Sequence, residues 1–416
     1  MIIVEKNKML SSKCIRQSIE NSACEYTDMV VSRIKRGDFR LSDADDILFY
    51  LSEVSGLEFL NDYQKEIASS IKSIISIIRE AIYEGNPQFI KYQGMFKGIG
   101  ILAVSFNTLE RKGINLNNFK RFSQSVIRDY FQYNLTNFYS FTTHPHYYDS
   151  IYGAAGALNY IIENCIEDQN LIDLLLRYLI SLSFTDESGY ILYSIKEKPL
   201  YEDRSIVPYL DFGMAHGVLA PLIVMVKAKM CNLSVHGQSD AIANLLNLYS
   251  KYAEVDHHGV MSFPTQLQLH SIDNSNNYSF NCSWCYGNAC ILFVLSQIAN
   301  MLNDFEQHRR YSSSLEQLLL NKDIYNLSEP IVCHGLSSMV QIQTMKRLVE
   351  GDFTNETFST SFCEDLYATL EKHYEFSPTD SYLGNYSFLE GSGGVILTLI
   401  QSLGYLLAGS SLLMLR

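Results

Sequence analysis

Two cysteines and one histidine have the residue types of an open zinc site. Cys285 lies in the sequence Ser-Trp-Cys-Tyr-Gly (residues 283–287), which holds the only tryptophan of the chain, and Cys333 and His334 are adjacent in Cys-His-Gly. In one type of catalytic zinc site, the protein provides two thiolates and one imidazole as ligands. The fourth coordination position stays available for water or substrate. Each residue taken alone is more simply a buried thiol or a core histidine.

Cys282 offers a different metal site. Together with Cys285 it forms a Cys-x-x-Cys pair, and with Cys333 and His334 it would complete a closed structural site of three cysteines and one histidine. Such a closed site could not accept a substrate thiol. Cys290, at the start of an apolar run, is expected to pack in the core.

Repeated helical elements would have to position these residues. A small or glycine-containing turn leads into an apolar run in seven segments, which are residues 53–56, 98–100, 153–156, 217–220, 287–290, 335–338 and 391–394. Runs that are apolar almost all round predict helices buried on every side, and amphipathic stretches such as 71–80 and 171–179 predict an outer layer. The sequence therefore predicts one all-α domain over residues 1–416, an α/α toroid with seven inner and seven outer helices.

The repeats also explain how distant residues could form one site. Each candidate lies one to four residues before the glycine of its own repeat, namely Asp149, His216, Cys285, Cys333 and His334. The same phase in each repeat predicts the same end of the barrel, where loops converge on a ligand site.

Two longer connections, residues 185–211 and 252–283, contain glycine, proline, asparagine and alternating apolar residues. They predict short strands or hairpins at the rim of the toroid. These connections are candidates for binding a substrate. The alternative is that they are surface insertions that the fold tolerates and that have no role in binding.

The two motifs resemble those of the lanthionine synthetase C-like family, the class I lantibiotic cyclases, whose signatures are Trp-Cys-Tyr-Gly and Cys-His-Gly. The resemblance implies an α/α toroid and one Zn²⁺ held by Cys285, Cys333 and His334. It also implies that a peptide cysteine thiolate, formed with the help of zinc, adds to dehydroalanine or dehydrobutyrine and closes a lanthionine or methyllanthionine ring. The alternative is a zinc-dependent module of this family that binds glutathione, another thiol or a peptide without cyclising it.

Three further residues receive catalytic roles from the resemblance. His216 lies in the family's Ala-His-Gly segment and would protonate the α-carbon of the enolate, and Asp149 would accept the thiol proton or hold His216 in its charged form. Tyr286 would position the enolate oxygen. On residue type alone, His216 reads as a core histidine and Asp149 as a helix cap. Asn281 stands where the family commonly has an arginine, so one cation of the site is missing.

Composition limits the other classes of function. The chain has 47% apolar and 19% charged residues, as expected of a globular protein, and its net charge of −13 opposes nucleic-acid binding. Nine cysteines at irregular spacing indicate free thiols in a reducing compartment, and the N-terminus lacks the pattern of a signal peptide. These features predict a cytoplasmic protein. Polar residues interrupt the apolar run 395–415, which favours a buried helix over a membrane span.

The resemblance also implies partners. A cyclase without its own dehydration chemistry would act on a dehydrated lantibiotic precursor peptide, together with a lantibiotic dehydratase and an ABC exporter in a complex at the inner face of the membrane.

Four other histidines have no family counterpart and are predicted to be surface residues, namely His144, His146, His257 and His258.

Overall fold

Helices dominate the structure, a computed structural model that describes residues 13–136, 144–187, 189, 191–195, 208–255, 259–269, 277–278, 282–321, 327–351, 366 and 385–416. The helices are α1 (Lys13–Arg36), α2 (Ala44–Val54), α3 (Gln64–Tyr83), α4 (Pro87–Ile90), α5 (Gly98–Arg111), α6 (Asn117–Thr136), α7 (Pro145–Tyr148), α8 (Ala154–Glu163), α9 (Gln169–Leu182), α10 (Leu219–Met230), α11 (Gln238–Tyr252), α12 (Asn288–Met301), α13 (Phe305–Leu320), α14 (Leu336–Glu350), α15 (Ser392–Ser402) and α16 (Ala408–Leu412). The strands are β1 (Tyr209–Asp211), β2 (Glu254–Val255), β3 (Met261–Ser262), β4 (Pro264–Gln268) and β5 (Asn277–Tyr278). The predicted all-α class is confirmed.

The chain divides into two compact units, of which the first comprises residues 1–127, 328–412 and 416. Its inner helices lie side by side in the order α14, α15, α2, α5. Helix α1 packs against α15 and α3, and α3 packs against α2. Every residue of α2 and α15 is buried, as expected for helices enclosed on all sides.

The second unit comprises residues 128–327 and 413–415. Its inner helices follow the order α8, α10, α12, and the outer helices α9, α11 and α13 pack behind them in the same order. Strands β1, β4 and β5 form an antiparallel sheet, and β2 pairs with β3. The described parts of the two predicted insertions therefore contain short antiparallel strands, as expected. Their part in gripping a substrate stays a prediction.

The two layers follow the hydrophobic pattern of the sequence. Helix α3 buries Ile67, Ile71, Ile74 and Ile78, and α9 buries leucines and isoleucines at the same helical spacing. Within the described ranges, seven helices occupy the inner layer of the two units: α2, α5, α8, α10, α12, α14 and α15. The chain between α14 and α15 lies almost wholly outside the described residues. The prediction of a single domain stays a prediction.

One of the seven predicted helix starts is wrong. Residues 53–56 end the inner helix α2 instead of beginning it, because α2 starts at Ala44 and closes with the amide of Ser55 donating to the carbonyl of Leu51. Gly56 then adopts a left-handed conformation with φ of +80°, which is typical of the residue after a helix. A glycine can mark either end of a helix, and this one marks the C-terminal end.

The apolar run at the C-terminus is two short helices, not one long helix. Helix α15 ends at Ser402, and α16 begins at Ala408 after a turn that contains Gly404 with φ of +97°. Among the described residues, no helix combines the length and the apolar character needed to cross a membrane.

The glycines before five inner helices are points of close backbone approach. A Cβ atom at any of these positions would overlap backbone atoms of the turn that precedes the helix, and the positions are Gly153, Gly217, Gly287, Gly335 and Gly391. Each turn folds back on its own glycine so tightly that a side chain has no room. The glycine therefore has two roles. It marks the start of the helix in the sequence, and its missing side chain allows the turn to pack closely.

We expect Gly391→Ala to lower the free energy of unfolding more than Gly85→Ala does. A Cβ at Gly391 would overlap the carbonyl oxygen of Asn385 and approach the amide nitrogen of Ser387 to 2.7 Å, whereas a Cβ at Gly85 would meet no atom within 4 Å. The Gly85 variant suffers only the cost of a left-handed alanine, about 1–2 kcal/mol. Urea unfolding of both variants checks this, and equal losses would contradict the close-approach explanation.

Candidate functional site

Backbone hydrogen bonds join the glycine turns of the second unit. The Ser150 amide donates to the carbonyl of Ala215 at 3.2 Å, and the amides of Met214 and Ala215 donate to the carbonyl of Cys285 at 2.9 and 3.2 Å. The turns before α8, α10 and α12 are thus bonded in series. The turn that carries His216 is bonded directly to the turn that carries Cys285.

The first unit repeats this arrangement. The amides of Val332 and Cys333 donate to the carbonyl of Leu389 at 3.1 and 2.9 Å. Leu389 lies two residues before the glycine of its repeat, the position that Ala215 and Cys285 hold in theirs. The phase predicted from the sequence therefore corresponds to a fixed place in a hydrogen-bonded turn.

Cys285 is held in a rigid, buried turn. Its neighbour Trp284 is fully buried, and the indole N–H of Trp284 donates to the carbonyl of Leu413 at 2.9 Å. The hydroxyl oxygen of Ser283 lies 3.4 Å from the sulfur of Cys285. The only tryptophan of the chain therefore anchors the turn that carries Cys285.

Cys333 and His334 lie on the turn before α14. The Cys333 side chain is half-buried and His334 is exposed. Cys333 holds the same position relative to Gly335 that Cys285 holds relative to Gly287, two residues before it. By residue type and motif, the side chains proposed to hold a metal ion are Cys285, Cys333 and His334.

The two other cysteines of this region are buried thiols. Burial raises the pKa of Cys282 to about 12 and raises that of Cys290 well above its ordinary value. A thiol with so high a pKa stays protonated at neutral pH, and the thiolate is the form that binds metal. Cys290 lies within α12 in the core, as expected.

Asp149 and His216 form a hydrogen-bonded pair. One carboxylate oxygen of Asp149 lies 2.7 Å from Nδ1 of His216, and the other accepts the amide N–H groups of Tyr152 and Gly153 at 2.6 and 2.9 Å. Asp149 is fully buried and His216 is half-buried. The carboxylate thus closes the turn before α8, whose N-cap residue is Gly153, and orients the imidazole. The catalytic role of Asp149 stays a prediction.

The surroundings of His216 favour its protonated form. Burial lowers the pKa of the imidazole, but the hydrogen bond and negative charge of Asp149, followed by the charges of Asp211 and Cys285, raise it above its ordinary value of 6.5 overall. With Nδ1–H donating to Asp149, Nε2 is the nitrogen left to exchange a proton.

Three aromatic side chains surround His216. The ring centroids of Tyr152, Tyr286 and His146 each lie 6.3 Å from that of His216, and the Tyr152 ring is nearly parallel to the imidazole. Sequence reasoning singled out Tyr286 but missed Tyr152 and any role for His146. Tyr152 could have been found, because it lies one residue before Gly153, the position that His216 holds before its own glycine.

Asp211 is a second buried carboxyl group that sequence reasoning missed. Burial raises its pKa to about 7, although the amide of Gly213 donates to it at 2.8 Å and His216 lies near enough to lower the pKa in turn. The backbone carbonyl of Asp211 accepts from the amide of Val218. Asp211 therefore closes the turn before α10, as Asp149 closes the turn before α8.

The remaining predicted residues divide into two groups. His144 and His146 are exposed, as predicted. Asn281, His257 and His258 lie outside the described residues.

The match to known proteins agrees with this arrangement. The model of the lanthionine synthetase C-like protein family matches residues 47–404. Nisin cyclase, a solved structure, is similar with a TM-score of 0.76 and 19% sequence identity over 97% of this chain and 98% of that chain. The sequence matches none of the curated proteins with which it was compared. The structural likeness confirms the predicted α/α toroid, and the family match covers most of the sequence, so the chain belongs to the lanthionine synthetase C-like family.

Proposed function

We propose that the protein is a zinc-dependent lantibiotic cyclase. The observation that carries the proposal is the hydrogen bonding between the turn of Cys285 and the turn of His216. It fixes a thiol that could bind metal beside an imidazole that could supply a proton. Adding a thiol to a dehydroamino acid requires both functions, because a thiolate forms at one point and a carbon is protonated at another.

The donor set fits zinc. By residue type, Cys285 and Cys333 would provide two sulfur atoms and His334 one imidazole nitrogen, a set that leaves one position open in a tetrahedral zinc site. Cys282 is expected to stay outside the metal site, because the family motif uses only the cysteine that follows the tryptophan. When bound, zinc would act as a Lewis acid that lowers the pKa of a substrate thiol.

The protein side chains then control the protons. We expect Nε2 of His216 to protonate the α-carbon after the cysteine sulfur of the peptide bonds to the β-carbon of dehydroalanine or dehydrobutyrine. Asp149 holds the imidazole in the orientation and charge state needed for this transfer. Tyr286, whose ring centroid lies 6.3 Å from that of His216, would position the enolate oxygen. The product is a lanthionine or methyllanthionine ring.

The substrate would be a precursor peptide that has already been dehydrated. The partners proposed on this basis are a lantibiotic dehydratase and an ABC exporter, in the cytoplasm and associated with the inner face of the cell membrane. The net charge of −13 gives no support to nucleic acid as a partner.

Incubation with a dehydrated candidate precursor tests the activity directly. Ring closure consumes free thiols without changing the peptide mass, so alkylation followed by mass spectrometry counts the cysteines that remain. The alternative function, thiol or glutathione binding without cyclisation, predicts that the peptide or glutathione binds while every cysteine stays open to alkylation.

We expect one zinc per chain in the wild type and in Cys282→Ala, and little or none in Cys285→Ala, Cys333→Ala and His334→Ala. The three latter variants each remove one of the proposed ligands, whereas Cys282 does not match the pattern of the open site. Metal analysis of the purified variants measures this, with circular dichroism as the check on folding. Loss of zinc from a folded Cys282→Ala would favour the closed structural site and defeat the thiol-activation mechanism.

We expect His216→Ala to keep its zinc and its peptide binding but to form rings more slowly by about 10²–10⁴, the usual contribution of general acid catalysis. Thiolate formation does not depend on this side chain, so residual cyclisation should remain. The measurement is the loss of alkylatable cysteines over time. A normal rate would show that His216 is only a packed histidine at a helix start.

We expect Asp149→Asn to shift the basic limb of the pH–rate profile to lower pH. In the wild type, Asp149 outweighs burial and raises the pKa of His216, so the acid stays protonated to higher pH. The asparagine keeps an oxygen for the amides of Tyr152 and Gly153 but removes the charge, so burial would then lower the pKa. Rates of ring formation between about pH 5 and 9 measure the shift, and an unmoved limb would show that Asp149 does not set this pKa.

A further inference from the structure

We infer that His146 transfers protons between solvent and His216, and so prepares the acid for each new ring. The inference rests on the proposed function, because it concerns the acid that this function assigns to His216. His146 would act through His216 and would not touch the substrate. It is a positioning and proton-transfer residue, not a catalytic one.

The proton balance of ring closure creates the need for such a residue. One S–H bond and the π bond between the α- and β-carbons break, and one C–S bond and one C–H bond at the α-carbon form, so no proton is consumed overall. However, the thiol proton leaves from sulfur, whereas the α-carbon receives its proton from Nε2 of His216. His216 is then neutral, and it must regain a proton before it can act again.

The neighbours of His216 include one group that is suited to return this proton. Nδ1 is held by the buried Asp149 at 2.7 Å. Of the three rings whose centroids lie 6.3 Å away, Tyr152 and Tyr286 are phenols with an ordinary pKa near 10. His146 is the neighbouring ring whose ordinary pKa lies in the neutral range. The ring centroids of His146 and His216 lie 6.3 Å apart, so in this inference a proton passes between the two rings through an intervening water molecule.

His146 also connects this site to solvent. It is exposed, and its ring makes no side-chain hydrogen bond to the part of the chain that the structure describes. The exposed His144 lies beside it, with ring centroids 4.4 Å apart, and Nδ1 of His144 accepts the backbone amide of His146. The imidazole series His144, His146, His216 therefore runs from the surface to the half-buried acid.

The fold fixes His146 relative to the acid. Both His146 and Asp149 belong to the segment of α7 and its following turn, and the Asp149 amide donates to the carbonyl of Pro145 at 2.9 Å. The ring of His146 packs on that of Tyr152, with centroids 4.3 Å apart. One short helix and its turn thus hold both Asp149, which orients His216, and His146, which is inferred to return a proton to it.

The charges around His146 favour transfer toward His216. Burial, followed by the positive charge of His144, lowers the pKa of His146, while Asp149 opposes this and His216 adds to it. The pKa of His216 is raised. A proton taken up by His146 therefore moves to a stronger base when it passes to His216. The groups that face His146 are His144, Asp149, Tyr152 and His216.

The first test does not need a substrate. Exchange of the His216 imidazole proton with water would be measured by NMR on histidine-labelled protein, in the wild type, His146→Ala and His236→Ala. His236 is an exposed histidine on the loop after α10 and serves as the matched control. We expect exchange to slow about tenfold in His146→Ala, to recover when free imidazole is added, and to be unchanged in His236→Ala. Unchanged exchange in folded His146→Ala overturns the inference.

The second test uses ring formation on a dehydrated precursor in weakly buffered solution. His146→Ala should lose about tenfold in rate, keep its zinc and peptide affinity, and regain rate as imidazole is added, whereas the wild type should not respond to imidazole. A lower rate that imidazole does not restore would indicate a structural role and overturn the inference. If the wild type forms no rings while the NMR result holds, the proposed function fails and the proton transfer stands.

Discussion

The structure depends on the close approach of each turn to the glycine that follows it. Because no Cβ is present at positions such as Gly287, the chain folds back on itself immediately before an inner helix. The carbonyl two residues before the glycine is then free to accept amides from the preceding turn, as Cys285 does from Met214 and Ala215. One missing methyl group per repeat therefore determines where the functional side chains are placed.

Asp149 shows how this constraint serves function. A buried carboxylate is costly unless it is hydrogen-bonded, and here two amides and one imidazole satisfy it. Removing the negative charge would leave the effect of burial opposed by the weaker charges of Asp211 and Cys285, so the pKa of His216 would fall. The same interaction thus stabilises a turn and sets the charge of the proposed acid, so stability and activity are coupled at this residue.

Sequence reasoning succeeded where a signal was local. The glycine before α12 marks a helix start, the spacing of Ile67, Ile71 and Ile74 marks an outer face, and the motif around Cys285 marks the family. It failed at Gly56, because a glycine ends a helix as readily as it precedes one. It also missed the closeness of His146 to His216, which arises from contact between turns 70 residues apart in the chain and leaves no trace in either segment.

In the repeated turns, the backbone conformation does not depend on the side chain that precedes the glycine. In the second unit, the residue one before the glycine is Tyr152, His216 or Tyr286 in successive repeats, and the rings of Tyr152 and Tyr286 each lie beside that of His216. The backbone holds that position in the same way whatever the side chain, because its hydrogen bonds involve only amides and carbonyls. A phenol, an imidazole or a metal ligand can therefore occupy it without altering the turn. The proposed function depends on one or two side chains in each of these repeats, and the rest of the repeat holds them in place.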